Sequence, residues 1–223
     1  MKRRRALLAA AAIAGGFTGV IGLLHAPVGR PLMGRLGMSC PARGVSPAAA
    51  EALRQRGVGA LRGTTPAPAR PALGLSLDRT RVVDVRAWAN ARGLTCVARQ
   101  RPSSVVTCTN VPLTAVWPGR SAGTIDELAF AFAPDGRLVA VDSLRRALSG
   151  AAASRLFDEL ARELAAVLGP DGERVGDSTA AYLGVAPMRT ARLRYRFSDY
   201  LATVTAMNLD GRVALREQYQ SAP

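Results

Sequence analysis

Apolar residues alternate with small or polar residues along several stretches of the chain. Leu128, Phe130 and Phe132 occupy every second position, which predicts a strand with one buried face. The turn-forming residues PDG at 134–136 follow, and a second alternating run comes after them, so the pattern predicts a β-hairpin. A further strand over 190–197 and a second hairpin over 199–219 are predicted on the same grounds. Together these elements indicate an antiparallel sheet.

A different spacing, close to four residues, predicts the longest helix. It begins at Leu148 or Ser149 and ends at Gly169–Pro170. Its apolar face consists of Leu156, Leu160, Leu164 and Leu168. A shorter helix is predicted after Ser46, and another from Asp78, as its N-cap, to Gly93. The alternating leucines of 73–77 predict a short strand, and the Pro-rich residues 64–72 predict a semi-rigid linker.

Two cysteines lie in apolar stretches on either side of a turn near Pro102. If residues pair so that their numbers sum to 204, Cys96 faces Cys108 directly across two strands. A metal site would need further ligands, and a redox pair would usually be more closely spaced. The pattern therefore predicts a structural disulfide between Cys96 and Cys108, with Cys40 either free or paired with another chain.

The order of these elements predicts an α+β fold in two layers, with helices packed on an antiparallel β-meander. The sequence DGR occurs at 135–137 and again at 210–212, and the flanking elements keep nearly the same offset. This indicates either two tandem α-β-β-β units, over 73–147 and 148–223, or one turn type used twice. Residues 27–72 are predicted to be a juxtamembrane segment, a short helix and the linker.

The N-terminus has the pattern of an export signal. MKRRR precedes nineteen residues without a charge, enough to span a membrane of about 30 Å at 1.5 Å per residue. Small residues are poorly placed for cleavage after Ala26, so the pattern favours an uncleaved anchor over 1–26 rather than a signal peptide. The rest of the chain is then predicted to face the periplasm from the inner membrane, or to be secreted there if cleavage occurs. Disulfides persist in that compartment.

Composition excludes several kinds of catalysis. Lys2 is the sole lysine and His25 the sole histidine, so the chain beyond residue 25 has no imidazole and no primary side-chain amine. Ser-His-Asp, Cys-His and Ser-Lys nucleophiles, Schiff-base lysines and histidine-ligated metals are therefore excluded there. Only carboxylate chemistry remains, and the adjacent pairs at 126–127 and 158–159 point apart. No catalytic residue, metal ligand or cofactor is predicted.

The excess positive charge lies mainly outside the predicted domain. Residues 1–77 hold eleven Lys or Arg and one Glu, whereas 78–223 hold nineteen Arg and fifteen Asp or Glu. This distribution, together with the predicted compartment, argues against a nucleic-acid partner. One stretch differs, because Arg192, Arg194 and Arg196 alternate along a single strand. Such a row is suited to phosphates or carboxylates, although it is also what a solvent-facing strand would contain.

The stretch LGLSLDRTRVVDVRAWANARGLTC resembles the helical opening of small exported modules of the SmpA/OmlA and β-lactamase-inhibitor-protein-like kind. In those modules a Gly-Pro often ends this helix. No Gly-Pro follows the corresponding predicted helix of the first half of this chain, but Gly169–Pro170 follows the long helix of the second half. The resemblance covers about twenty-four residues at the start of a module. It implies a non-enzymatic scaffold or protein-binding module of the envelope, and it carries over no functional residues.

Two functions remain after these exclusions. The first is an anchored or secreted binding or scaffold module of the bacterial envelope, with an envelope protein or anionic envelope component as its partner. The alternative is a carboxylate-dependent hydrolase of envelope polysaccharide, which needs two carboxyl groups facing each other across a cleft. Trp117, in a loop rich in Pro and Gly, is predicted to be a buried lid over the sheet rather than a contact residue.

Overall fold

The computed structural model describes residues 46–99, 104–117 and 123–222. They form an eight-stranded antiparallel sheet with helices packed on it, which confirms the predicted α+β class. The predicted anchor over 1–26, the segment 27–45 with Cys40, and the turn near Pro102 lie outside the described residues. None of the helices in the described part is long and apolar enough to cross a membrane.

The first half of the described chain begins with a helix and ends with the first predicted hairpin. Its elements are α1 (Pro47–Gly59), α2 (Val82–Asn90), β1 (Cys96–Arg99), β2 (Ser104–Pro112), α3 (Leu113–Val116), β3 (Thr124–Phe132) and β4 (Leu138–Leu148). The second half begins with the longest helix. Its elements are α4 (Gly150–Leu168), β5 (Glu173–Val175), α5 (Ala180–Val185), β6 (Thr190–Arg196), β7 (Tyr200–Leu209) and β8 (Arg212–Ser221).

The strand order across the sheet is β1-β2-β3-β4-β8-β7-β6-β5. Each half of the chain therefore contributes four consecutive strands, and the halves meet where β4 pairs with β8. The local patterns predicted all four strands of the first half and three of the second, and neither half is a three-stranded α-β-β-β unit. The additional strand of the second half is β5, a three-residue strand in a stretch that the sequence pattern marks only as turn-rich.

The main hydrophobic core lies between one face of the sheet and α4, which packs over β7, β8 and β4. Ser149 caps this helix by accepting a hydrogen bond from the backbone N–H of Ala152, and Gly169 follows its last residue, as predicted. The buried face consists of Ala153, Phe157, Leu160, Ala161, Leu164 and Leu168. Leu156 is only half-buried, so the face is centred closer to Phe157 than the leucine spacing alone predicts.

The predicted disulfide is present. Cys96 pairs with Cys108 in the β1–β2 ladder, and the neighbouring pairs Val97–Thr107, Ala98–Val106 and Arg99–Val105 follow the predicted register. The two Cα atoms lie 4.0 Å apart, and the sulfur atoms are bonded. Cys108 is fully buried, so the disulfide fastens the edge strand β1 to the core.

Asp78 does not cap α2, and the leucines before it do not form a strand. Residues 73–80 form turns instead, and α2 begins at Val82, after Arg81. The Asp78 carboxylate accepts hydrogen bonds from the guanidinium of Arg70 (2.5 Å) and the hydroxyl of Ser221 (2.6 Å). The Asp78 carboxylate, which the local sequence predicts to cap a helix, therefore binds residues that are distant in sequence or outside the helix.

The Pro-rich residues predicted to be a linker lie against the domain. Thr65 accepts a hydrogen bond from the backbone N–H of Ser198, and the N–H of Ala67 donates to the Asp199 carboxylate, both at 2.8 Å. Farther along, the Tyr200 hydroxyl donates to the carbonyl of Pro71 (2.6 Å). The turn between β6 and β7 therefore holds this segment in place.

Helix α1 is also joined to the sheet. Val58 is buried against Leu201 and Ala222. Arg54 donates to the carbonyl of Ser221 (2.9 Å) and to both carboxylate oxygens of Glu51. These hydrogen bonds from Arg54 hold the pKa of Glu51 below its usual value. Helix α1 thus belongs to the same compact unit as the sheet, a unit that begins at Ser46.

Candidate functional site

Arg192 and Arg194 lie on the face of the sheet opposite α4. The residues between and beside them, Leu193 and Tyr195, are buried in the core, so alternation along β6 turns the two arginines outward. In the β6–β7 ladder they are opposite Thr205 and Thr203. The alternation of side chains along β6 thus places both guanidinium groups on the open face of the sheet.

A groove of about 460 Å³ runs along this open face. Its walls combine the two arginines and other polar groups with apolar side chains, of which Leu61 and Leu209 are exposed and the others partly or fully buried. The apolar residues that line it are Leu61, Leu144, Leu201, Met207, Leu209 and Ala214, and the polar ones include Thr203, Thr205, Gln218 and Gln220. Arginine and methionine are enriched in protein interfaces, and a mixed lining of this kind suits a protein surface.

The arginines of the groove differ in their partners. Arg216 donates to the Asp142 carboxylate, and this hydrogen bond raises the pKa of Arg216. Arg192 and Arg194 have no ion pair within the described part of the chain. Their positive charges are therefore available to an anionic group.

Arg196 does not belong with the other two arginines of the predicted row. It is absent from the groove lining, and its guanidinium pairs with Glu173 on β5, Nη2 to Oε2, at 2.8 Å. In the strand ladder Glu173 is opposite Arg194, yet its carboxylate pairs with the arginine two residues farther along. The structure thus brings together two of the three predicted residues in one site.

A buried polar cluster lies on the other face of the sheet, between the strands and α4. Arg145 on β4 pairs with Glu217 on β8, Nη2 to Oε1, at 2.5 Å, and the two side chains are 2% and 0% exposed. Ser143 donates to the same carboxylate oxygen (3.2 Å), and the Tyr219 hydroxyl donates to the other (3.0 Å). Burial is the main cause that raises the pKa of Tyr219 well above its ordinary value.

Glu217 and Arg145 differ in how completely they are hydrogen-bonded. Both oxygens of Glu217 have donors, whereas Nε and Nη1 of Arg145 are buried without an acceptor among the described residues. A buried donor without a partner costs roughly 1–3 kcal/mol, more where the group is charged. The arginine therefore remains partly unsatisfied inside the protein.

The sequence contains a signal for this cluster in the alternation of two strands. Alternation along β8 places Glu217 on the same face as Val213, Leu215 and Tyr219, all of them buried. Alternation along β4 likewise places Arg145 with the buried Val141. A charged residue at an inward position of each of two strands indicates a buried ion pair, once the pairing of β4 with β8 is known.

Trp117 covers one side of the buried cluster. It is half-buried and packs against the main core, as the prediction of a lid requires. The guanidinium carbon of Arg145 lies 5.7 Å from the centre of its ring, within the range of a cation–π contact. Residues 118–122, which continue this loop, lie outside the described residues.

Three carboxylates of the two adjacent acidic pairs have hydrogen-bond or ion-pair partners. Asp126 accepts from the backbone N–H of Arg146, and Glu127 pairs with the side chain of the same arginine at 3.2 Å. Asp158 accepts from the hydroxyl of Ser178 (3.0 Å). Within the described part of the chain, no group of three or more His, Cys, Asp or Glu side chains is arranged to hold a metal ion.

Comparison with known proteins adds no relative. None of the protein-family models, curated proteins or solved structures compared with the chain matches it.

Proposed function

We propose that this protein is a non-enzymatic binding module of the bacterial envelope that holds an acidic protein partner on the open face of its sheet. One observation carries the proposal: Arg192 and Arg194 lie side by side in a groove without an ion pair among the described residues. The surrounding Leu144, Met207 and Leu209 offer apolar contact beside the two charges. A partner with carboxylates next to apolar side chains matches both features.

The proposed location is outside the cytoplasm, at the inner membrane or secreted into the periplasm. The uncharged segment after MKRRR supports export, and the disulfide between Cys96 and Cys108 supports an oxidising compartment. The disulfide lies on the half of the sheet away from β6, so it leaves the groove unobstructed.

The topology also supports an origin in two tandem units. Each half of the chain contributes a helix and four strands, and the strand order runs inward from both edges to β4 and β8. This arrangement is in keeping with the resemblance to exported helix-plus-sheet modules of the β-lactamase-inhibitor-protein-like kind. It leads us to favour duplication over a turn type used twice.

The two groove arginines are the residues to replace. The double variant Arg192→Met/Arg194→Met removes both charges and keeps much of the side-chain volume. Full-length protein and variant are each used as bait for detergent-solubilised envelope of the source cells, with chemical crosslinking before capture. The wild type is expected to recover an acidic protein, and the double variant to recover at least tenfold less of it.

Arg196→Met is the matched control, because Arg196 belongs to the same strand but pairs with Glu173 outside the groove. It is expected to recover the partner as the wild type does. Recovery should also fall as salt rises, since a contact between exposed charges is screened. Equal recovery by the double variant and the wild type would exclude the groove as the binding site. Capture of polysaccharide or lipid without a protein would replace the proposed partner by an anionic polymer or membrane.

A direct assay distinguishes the alternative function, a carboxylate-dependent hydrolase, from the proposed binding function. Purified protein is incubated with envelope polysaccharide, and new reducing ends are measured. The binding module predicts none above the buffer control. Release of sugar that disappears when a single Asp or Glu is changed to its amide would favour the hydrolase instead.

A further inference from the structure

The groove on the open face has a regular repeat along its length. Its floor includes every second side chain of β7 from Leu201 to Leu209, because alternate residues of a strand project from the same face. Two residues of a strand span about 6.7 Å, so these side chains are spaced at that interval. Each of them, together with its neighbours on the adjacent strands, forms one row across the groove.

Two consecutive rows carry the positive charges. Arg194 is opposite Thr203 in the β6–β7 ladder, and Arg192 is opposite Thr205, so the two guanidinium groups belong to adjacent rows. Both arginines are half-buried, and neither has an ion pair within the described part of the chain. A carboxylate bound there would be partly shielded from solvent, where salt screens an ion pair less than on an exposed surface. Each arginine can therefore hold one carboxylate.

The next two rows are apolar. Met207 is half-buried, with Ala214 opposite it on β8, and Leu209 is 50% exposed at the end of β7. At the other end of the groove Val58 of α1 packs against Leu201, so this helix covers the row before the arginines. The order from α1 outward is therefore two positive rows followed by two apolar rows.

This order and spacing match an extended peptide better than a helix. Alternate side chains of an extended peptide share one face and repeat at about 6.7 Å, the interval of the rows. Side chains on one face of a helix are three or four residues apart and roughly 5–6 Å from each other. Across four rows, about 20 Å in all, a helix loses its alignment with the sheet, whereas an extended peptide keeps it.

We propose that the partner places an extended acidic segment along this groove, with carboxylates at two alternate positions and apolar side chains at the next two alternate positions. The carboxylates then contact Arg194 and Arg192, and the apolar side chains contact Met207 and Leu209. All four side chains project from one face of the segment, as its period of two requires. This inference rests on the proposed function, since it specifies the conformation and the residue pattern of the acidic partner.

Synthetic peptides test the pattern. Full-length protein in mild detergent is titrated into the fluorescein-labelled peptide Glu-Ser-Glu-Ser-Leu-Ser-Leu and into its reverse, Leu-Ser-Leu-Ser-Glu-Ser-Glu, and fluorescence anisotropy is measured. We expect saturable binding of at least one of them, and the tighter one gives the direction of the segment. The control Glu-Ser-Glu-Leu-Ser-Leu-Ser, with its own reverse, has the same composition, but a shift of one residue turns the carboxylates and the leucines to opposite faces. It should bind at least tenfold more weakly than the in-register peptide of the same direction.

Single changes on both sides test which charges meet. Because Arg192 is in the row next to Met207, it should contact the glutamate nearer the leucines, and Arg194 the other glutamate. Arg192→Met and Arg194→Met are each expected to weaken binding at least threefold. The effect of Arg192→Met should disappear when the nearer glutamate of the peptide is replaced by glutamine, and it should persist when the other is replaced. Arg196→Met, which lies outside the groove, should bind as the wild type does.

Circular dichroism confirms that each protein variant is folded, and the changes made in the peptides leave the protein unaltered. Equal affinity for the in-register and shifted peptides would overturn the inference, and so would the absence of saturable binding by any peptide. If capture of the envelope partner still requires both arginines in that case, the proposed function stands without it. If capture does not depend on them, the proposed function fails and this inference fails with it.

Discussion

Arg145 and Glu217 form an ion pair in the interior, on the central strands β4 and β8, with both side chains almost fully removed from solvent. Taking two charges out of water is costly, and their attraction repays that cost only when hydrogen bonds satisfy the remaining groups. Here the carboxylate is satisfied and the guanidinium is not. The pair therefore joins the two halves of the chain at their junction and leaves two guanidinium nitrogens unsatisfied in the interior.

Removal of one charge from this pair should destabilise the fold strongly. Glu217→Gln leaves Arg145 buried without a counter-charge, and we expect the free energy of unfolding to fall by about 3–5 kcal/mol. The double variant Arg145→Met/Glu217→Met should recover most of that loss, because no buried charge remains. Urea denaturation of each variant measures both values. Glu173→Gln, which breaks the half-exposed pair with Arg196, is the control and should cost at most about 1 kcal/mol. A similar cost for the two Glu variants would contradict the role assigned to burial.

The disulfide between Cys96 and Cys108 should contribute to stability by restricting the unfolded chain. Closing a loop of this length stabilises a fold by roughly 3 kcal/mol on a chain-entropy estimate. We expect Cys96→Ser/Cys108→Ser to lose about that much in urea denaturation. Reductant should bring the wild type to the same value and leave the double variant unchanged. If reductant destabilises the double variant as well, the effect does not come from this disulfide.

Two of the three buried tyrosines, Tyr200 and Tyr219, should make the protein sensitive to alkali. Burial is the main cause that raises the pKa of both Tyr200 and Tyr219 above the ordinary value. The unfolded chain releases these protons near pH 10 while the folded chain retains them, so the folded state binds more protons. The stabilisation is complete below pH 10, and the free energy of unfolding falls above it by about 1.4 kcal/mol per pH unit for each tyrosine.

Urea denaturation from pH 8 to pH 11.5 measures this slope. Lys2 is the sole lysine, so side-chain amines contribute almost nothing to titration in this range. Tyr200→Phe should reduce the slope above pH 10 by about 1.4 kcal/mol per pH unit, whatever it does to stability at neutral pH. A slope that is unaltered in this variant would show that Tyr200 titrates normally in the folded protein.

Gly63 allows the segment between α1 and α2 to lie against the end of β6. A Cβ at this position would lie 2.3 Å from the carbonyl oxygen of Arg196, and the Gly63 N–H donates to the carbonyl of Phe197 (3.1 Å). We expect Gly63→Ala to lower the free energy of unfolding by about 1–3 kcal/mol, because backbone has to move. Gly57→Ala is the matched control: its Cβ meets open space in α1, and it should stabilise the fold by up to about 1 kcal/mol. Equal effects would indicate that residues 64–72 behave as a free linker.

The N-terminal segment should determine where the protein is found and the state of its cysteines. We expect the full chain to fractionate with membranes, and in denaturant we expect Cys96 and Cys108 to be unreactive towards a thiol reagent until their disulfide is reduced. A chain without residues 2–26 should stay in the cytosol with all three cysteines reactive. Recovery of the intact, full-length chain from the cytosol with three free thiols would refute the proposed location. A shortened chain in the soluble periplasm would show that the signal is cleaved.

Local sequence patterns correctly predicted the elements that depend only on residues close together in the chain. The long hairpins, α4 with its cap at Ser149, and the register that pairs Cys96 with Cys108 all follow from periodicity and turn chemistry. The predictions that failed depend on distant partners. Asp78 has the chemistry of a helix cap, but Arg70 and Ser221 use its carboxylate, and the latter is 143 residues away.

The candidate site was also predicted only in part, because one of its features depends on a contact with another strand. Alternation predicted that Arg192, Arg194 and Arg196 share a face, because side chains on a strand alternate whatever surrounds them. Which of the three is paired was decided by β5, a short strand that places Glu173 beside Arg196. Propensity over three residues is too weak to predict such a strand.

The sequence by itself determined the fold class, the positions of most strands, the disulfide and the face of the arginine row. All of these depend on residues within a dozen positions of one another. Only the tertiary structure decided that β4 lies against β8, and hence that Arg145 meets Glu217 and that a groove forms opposite α4. The physical reason is that strand order in a sheet is selected by the burial of whole faces, a property of the assembled chain that no short stretch contains.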